Sequence, residues 1–378
     1  MPQKRKIIRA TTIPLSLDIF CKDMLKELSS QYDILAVSSP GEELDRVAAR
    51  EGVAIAKVAM QRHIAPFHDF ISLLKLIRLF HREKPWIVHS MTPKAGLLCM
   101  IAAKLCRVPH RIHTFTGLIW PTASGLKRKI LIATDKLLCS CATIIIPEGN
   151  GVKQDLLSAR ITSKPLNVLA NGNVRGIDLN HYRRSDEVVQ QAKILRKDNT
   201  ITYIFIGRLV ADKGITELVN AFVKLNQLHD NTRLLLVGPK EQERSPLPSH
   251  ILQTIESHKS IEAVGMQHDI RPWLAAADVF VFPSYREGFP NVVIEAGAMA
   301  LPSIVTDING SNEIIIEGQN GLIIPSHDSD SLFNSMLRLY SDASLRQSLS
   351  RNARNLIADR FDCHLVRKAL YDLYSSLK

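Results

Sequence analysis

Short β-branched runs alternate with helical stretches along both halves of the chain, and this alternation constrains the fold more than any other feature. The runs in the first half are KIIRATT, YDILAVSS, WIVHSM, RIHTFTG and TIIIPEG; those in the second are TYIFIGR, RLLLVGP, SIEAVGM, DVFVFPS, LPSIVTD and GLIIPS. Strands that alternate with helices build parallel-sheet α/β domains, and 378 residues exceed what one ordinary core holds. The expected fold class is therefore α/β, with two doubly wound Rossmann-like parallel-sheet domains in series. The join is expected near residues 175–200, where NVRGIDLNHYRRSDEVVQQAKILRKDNT is polar and carries a Gly-Ile-Asp turn before the strand at Thr202–Ile206. This gives an N-terminal domain over 1–180, a C-terminal domain over 181–362 and a terminal segment over 363–378. In that segment Leu365, Val366, Ala369, Leu370 and Leu373 form a helical stripe that needs a surface to cover it.

Composition narrows the class of protein. With 46% hydrophobic and 22% charged residues, and with no run of the ~20 apolar residues that crosses a bilayer, a soluble cytoplasmic protein is expected. The basic N-terminus has Asp18 and Lys22 where a leader would be apolar, so no export is expected. Six scattered cysteines show no CxxC pair and read as reduced thiols. Charge is uneven: residues 1–187 hold 28 Lys/Arg against 16 Asp/Glu, whereas residues 188–378 hold 20 against 21. A basic first half suits an anionic membrane or a phosphorylated substrate. It carries no nucleic-acid-binding motif, so no nucleic-acid partner is expected. The stretch HDFISLLKLIRLFHREKP has a helical period, and Phe70, Leu73, Leu74, Ile77 and Phe80 are expected to face the core, with a membrane-surface role as the second reading.

Two motifs carry the chemistry. In FPSYREGFPNVVIEAGAMALPSIVTD a strand ends near Pro283, turns through Glu287, Gly288, Phe289 and Pro290, and opens a helix near Asn291 that runs toward Met299. A helix N-terminus after a Gly-containing turn attracts anions, which makes this a phosphate site. Glu287 and Glu295, as acceptor-only carboxylates, suit the paired hydroxyls of a sugar or a ribose, although a lone Glu295 would read as a surface charge. In FIGRLVADKGITELVNAF, Arg208 and Lys213 flank a turn and suit a diphosphate; the structural alternative is surface pairing with Asp212 or Glu217. Asp278 reads as a strand anchor, and neither a DxD pair nor a His/Asp cluster has metal-ligand spacing, so no metal or other cofactor is expected.

With GRLVADKG followed by Glu287 and Glu295 eight residues apart in REGFPNVVIEAGAMALP, the chain resembles the large retaining glycosyltransferase family usually numbered four, which has the GT-B fold. The resemblance implies two domains facing a cleft, with the terminal helix at about Cys363–Leu377 crossing back onto the N-terminal lobe. It places Glu287 at the donor sugar, Glu295 at the ribose, and Arg208 and Lys213 at the diphosphate. It also sets the backbone of Gly288, Phe289, Asn291 and Val292 against sugar and phosphates, and Val264, Gly265 and Met266 around the base.

In the first half, HSMTPKAGLL, HTFTGLIWPT and NVRGID resemble the branch concerned with bacterial surface polysaccharides (O-antigen and capsule). Where many relatives have a histidine, this chain has Thr116, followed by Gly117, while His113 lies three residues earlier. Many relatives also have a Gly-Gly turn where this chain has Thr11, Thr12, Ile13 and Pro14. His113 reads as a core histidine or a catalytic one, Thr116 and Gly117 as donor-sugar contacts, and Lys94 as a helix start or a contact to an acceptor phosphate. The implied reaction is transfer, with retention, from a nucleotide diphosphate sugar, UDP-linked in this branch, to a lipid-diphosphate-linked saccharide. Association with the inner membrane face goes with that acceptor. The alternatives are a nucleotide-sugar epimerase, a sugar phosphorylase, or a non-catalytic nucleotide-sugar-binding subunit.

Overall fold

The computed structural model describes residues 4–241 and 245–378. They divide into two compact units: the first runs to Gly176 and regains the chain at His364–Lys378, and the second is Ile177–Cys363. The first unit holds β1 (Lys6–Ala10), β2 (Asp33–Ser38), β3 (Ala54–Lys57), β4 (Ile87–Met91), β5 (His110–Phe115) and β6 (Ile144–Pro147) in the order β3-β2-β1-β4-β5-β6. The second holds β7 (Ile201–Ile206), β8 (Thr232–Val237), β9 (Ile261–Gly265), β10 (Val279–Phe282), β11 (Ser303–Thr306) and β12 (Gly321–Ile324) in the order β12-β11-β10-β7-β8-β9. All pairings are parallel. Each chain segment winds from a central strand to one edge and then crosses to the other side. The reversals, between β1 and β4 and between β7 and β10, leave crevices at the carboxyl ends of these strands, where open α/β sheets bind ligands.

Burial explains why the strands read as apolar runs. All six residues of β8 and all five of β4 are buried, since helices cover both sheet faces. In β1 the two-residue alternation sorts side chains between two cores. Ile8 and Ala10 join Leu35, Val37 and Val88 on one face, while Ile7 joins Ile34, Ala36 and Ile87 on the other. The strand β3 departs from the expected set: its residues AIAK are short, small and partly exposed at a sheet edge, and leave no apolar run to read. Part of the polar join is helical, Asp186–Leu195, with Val188 and Ala192 inward and Ser185 Oγ accepting the Val188 N–H at 3.4 Å.

The helix Pro66–Glu83 corrects the expected inward stripe. Its buried residues are Ser72, Leu76, Leu79 and Phe80, with Leu73 and Ile77 partly buried, whereas Phe70 and Leu74 face outward. Both faces of this helix are apolar, and a single stripe drawn through the sequence mixed residues from the two.

The terminal helix Cys363–Ser376 places Leu370 and Tyr374 in the first unit's core, beside Ile7, Leu17 and Met91. There Arg9, fully buried, donates from Nη1 to Tyr374 Oη at 2.8 Å and to His89 Nδ1 at 2.7 Å. A guanidinium only donates, so His89 Nδ1 is the acceptor and Nε2–H donates to Thr114 Oγ1 at 2.7 Å. Burial first, and then the Arg9 charge, hold the His89 pKa well below its usual range. The helix is thus fixed by a hydrogen-bonded network as well as by apolar contact.

Candidate active site

In the second unit the loops after β7 and β10 lie side by side at the switch point and are joined by their backbones. Tyr285 N–H donates to Asp212 O at 3.0 Å, and the Thr306 hydroxyl at the end of β11 donates to Ser284 O. Gly214 makes this approach possible: it has φ +70°, and a Cβ added there would lie 2.0 Å from Pro283 O. Gly310 backs the other side of the site, where an added Cβ would meet Gly288 O at 2.5 Å.

This junction brings Lys213 and Glu287 together. Lys213 Nζ pairs with Glu287 Oε1, and Ser284 Oγ donates to the same oxygen at 2.7 Å. Both charged side chains are largely shielded from water. Lys213 also lies 5.5 Å from the centroid of the Phe282 ring, which stacks on Phe205. An ammonium has three donors, so pairing with one carboxylate oxygen leaves Lys213 able to take phosphate oxygens as well. Arg208 is held elsewhere, 3.2 Å from Glu241, and this pair is about half exposed at 41% and 48%. Such pairs contribute ~0–1 kcal/mol, so exchanging Glu241 for another partner costs Arg208 little. The surface pairing with Asp212 or Glu217 does not occur: Glu217 accepts the Tyr285 hydroxyl at 2.5 Å.

The helix Asn291–Ala298 starts directly after the turn, and its N-cap, Pro290, offers no side-chain acceptor for the first-turn amides. Gly288, Asn291 and Val292 are partly exposed at this end. The Phe289 side chain turns into the core, edge-on to Phe361 at 5.5 Å, so only its backbone faces the turn. Glu295, one helical turn further on, is buried, which removes the surface-charge reading. Val264 and Gly265 close β9, two strands from β7, and Met266 just beyond them is 72% exposed. Gly265 O accepts the Gly238 N–H at 2.8 Å. Asp278 is an anchor: it accepts Thr202 N–H and Arg196 Nη2, each at 2.9 Å. Sequence reasoning missed Ser284 and Glu241, because neither stands out from an ordinary loop residue until the loops are paired.

In the first unit His113 is a core residue. It is fully buried, with Nδ1 2.9 Å from Ser90 Oγ, and Gly96 in the next helix is so close that an added Cβ would lie 2.4 Å from its ring. The catalytic reading of His113 is therefore corrected, since a ring inside the core cannot reach a substrate. Thr116 and Gly117 follow β5, with Gly117 at φ +117°. The Lys94 charge is met by Asp69. Thr12 occupies the adjacent helix start: its Oγ1 accepts Ala95 N–H at 3.1 Å, and its own N–H donates to Thr92 Oγ1 at 3.0 Å.

Burial pushes the His113 pKa down to about 3. Its folded value lies below the unfolded value of about 6.5, so its contribution to stability is present above pH ~6.5 and is lost as the pH falls toward 3. Asp135, raised by burial to about 7, acts in the opposite sense, gaining its proton in the folded state as the pH falls. The test is therefore a difference. His113→Asn should flatten the loss of stability between about pH 6 and pH 4 by ~1.4 kcal/mol per pH unit relative to the unsubstituted chain, as read from urea unfolding.

The two parallel sheets, with cations, carboxylates and a helix start gathered at the switch point of the second, define a two-domain α/β protein. Residues 187–356 match the family described as Glycosyl transferases group 1, and residues 20–172 match the Glycosyl transferase 4-like domain. The chain is 32% identical to the capsular polysaccharide biosynthesis glycosyltransferase CapM of Staphylococcus aureus, over 99% of this chain and 98% of that one. It is 30% identical to the UDP-Gal:alpha-D-GlcNAc-diphosphoundecaprenol alpha-1,3-galactosyltransferase of Escherichia coli, over 83% and 81% of the two chains. The crystal structure of Anabaena Alr3699/HepE in complex with UDP superposes with a TM-score of 0.82 at 18% identity, covering 99% of this chain and 100% of that one. The chain belongs to the group 1 glycosyltransferases, in the GT-B branch that serves bacterial surface polysaccharides, and is a glycosyltransferase enzyme.

Proposed function

We propose that the enzyme moves a sugar from a UDP-sugar to a hydroxyl of a lipid-diphosphate-linked saccharide, with retention at the anomeric carbon. The observation that carries this reading is the Lys213–Glu287–Ser284 cluster beside the start of the Asn291–Ala298 helix, at the switch point of the second sheet. Lys213 and the helix start take the diphosphate, and Arg208 joins them on leaving Glu241. Glu287 takes sugar hydroxyls and Glu295 the ribose. The base lies along β9 at Val264, Gly265 and Met266. The order β9-β8-β7-β10 spreads these contacts across about three strand spacings, or ~14 Å, which suits an extended ligand. Support for the donor and acceptor comes from relatives: the E. coli enzyme is named for UDP-Gal and a diphosphoundecaprenol-linked sugar, and the Anabaena structure holds UDP.

In this reading the bond from the anomeric carbon to the β-phosphate oxygen breaks, and the acceptor oxygen bonds to that carbon from the same face. The acceptor proton passes to the departing phosphate oxygen. Lys213, Arg208 and the helix dipole stabilise the charge that develops there, and no metal takes part. Peripheral association with an anionic inner membrane face belongs to the same reading, since the acceptor is lipid-borne. The test is turnover of UDP-sugars with a synthetic lipid-diphosphate saccharide, followed by proton NMR of the new linkage. An α product from an α donor supports the reading; a β product refutes retention, and no product with any UDP-sugar refutes the donor.

A further inference from the structure

The outward side of the Pro66–Glu83 helix is apolar at Phe67, Phe70, Ile71 and Leu74, spaced as one helical stripe. These residues are exposed by 73%, 58%, 37% and 50%. A second helix, Gly125–Cys141, opens with Leu126, also 73% exposed, followed by Lys127, Arg128, Lys129 and the exposed Ile130. Beside them lies a recess of about 140 Å³, to which the first helix contributes Asp69 and the second Ile130 and Leu131, with Ile64, Lys94 and Leu118 completing its walls. Large apolar side chains gathered on one outward helix face in this way mark an interaction surface.

The charges around the opening select the partner. Arg62 lines the recess, Lys75 and Arg78 are exposed on the first helix, and Lys127, Arg128 and Lys129 are exposed on the second. The two carboxylates of the recess do not offset them. Asp69 is paired with Lys94, and Asp135 accepts Trp120 Nε1–H at 3.0 Å inside the wall. A basic rim around exposed Phe and Leu side chains fits the interface of an anionic bilayer, where apolar groups enter the acyl boundary and bases meet headgroups. A second copy fits poorly, since a two-fold contact through this face would set like charges opposite one another.

We infer that the outer stripe of the Pro66–Glu83 helix and the Leu126–Ile130 segment form a seat by which the enzyme docks on an anionic lipid bilayer. The inference rests on the lipid-borne acceptor proposed above and names the surface that meets the lipid. The test is flotation of the full chain with vesicles of phosphatidylcholine alone or mixed with phosphatidylglycerol. The unsubstituted chain should float with the mixed vesicles, and salt should weaken the binding. The triple variant Phe67→Ser, Phe70→Ser, Leu74→Ser should lose at least ~10-fold in vesicle partition. Lys127→Ser, Arg128→Ser, Lys129→Ser should lose the preference for the anionic vesicles. Both variants should keep unchanged turnover on a water-soluble, short-tailed acceptor, which reports the catalytic reading separately. The inference is overturned if the unsubstituted chain does not float, if the triple variants float equally well, or if a lipid-free dimer dissociates on Phe67→Ser.

Discussion

Lys213→Ala is expected to lower kcat by about 10²–10³ with a smaller change in KM. A group that meets charge developing on a leaving diphosphate acts mainly in the transition state, and loss of one such group costs that much. Lys213 is also the partner of Glu287, and both are shielded from water, so the substitution leaves a carboxylate without its cation at the place proposed for an anionic donor. Lys213→Arg should recover little, because the ammonium sits beside the Phe282 ring and the Glu287 carboxylate in space shaped for a point charge. Arg208→Ala should cost less, since Arg208 is exposed and already exchangeable with Glu241. Steady-state kinetics on the three variants checks the order. Equal losses for Arg208→Ala and Lys213→Ala would contradict it.

Gly214→Ala is expected to destabilise the second unit by about 3 kcal/mol and to weaken donor binding with it. Two costs combine: an L-residue at φ +70° is strained by ~1–2 kcal/mol, and the new methyl would lie 2.0 Å from Pro283 O, which forces the two switch-point loops apart. Gly265→Ala is the control. Its φ is +71°, but nothing lies within 4 Å of an added Cβ, so only the strain of ~1–2 kcal/mol applies. Urea unfolding of the two variants separates backbone strain from steric contact at nearly equal φ.

The fold was legible in the sequence where strands are buried on both faces. The runs around β1, β2, β4, β5 and β6, and those around β7, β8, β10, β11 and β12, are apolar because helices cover the sheets, whereas β9 is a partly exposed edge strand that Ile261 and Val264 still made legible. The edge strand β3 escaped because AIAK carries no such run. Motif spacing led to Lys213, to Glu287 and to the start of the Asn291–Ala298 helix because each lies in a strand, Gly turn and helix that follow one another within a short stretch of chain. It could not show that Arg208 pairs with Glu241, since that contact closes 33 residues of chain. Nor could it show that His113 lies beneath Gly96: an imidazole at a strand end reads the same whether it faces a cleft or a helix. The outward apolar stripe at Phe67, Phe70, Ile71 and Leu74 was hidden for a related reason, because a helix apolar on two sides gives no single periodic signal to divide.

We propose that the switch point of the second sheet binds a nucleotide diphosphate sugar through Arg208, Lys213, Glu287 and Glu295. Thermal-shift and calorimetric titration of the purified enzyme against a panel of nucleotide diphosphate sugars tests it most directly, repeated with Glu295→Ala and Arg208→Ala. A UDP-sugar should raise the melting temperature, Glu295→Ala should abolish the shift, and Arg208→Ala should reduce it. A panel in which no nucleotide sugar binds, or a shift that Glu295→Ala leaves unchanged, would contradict it.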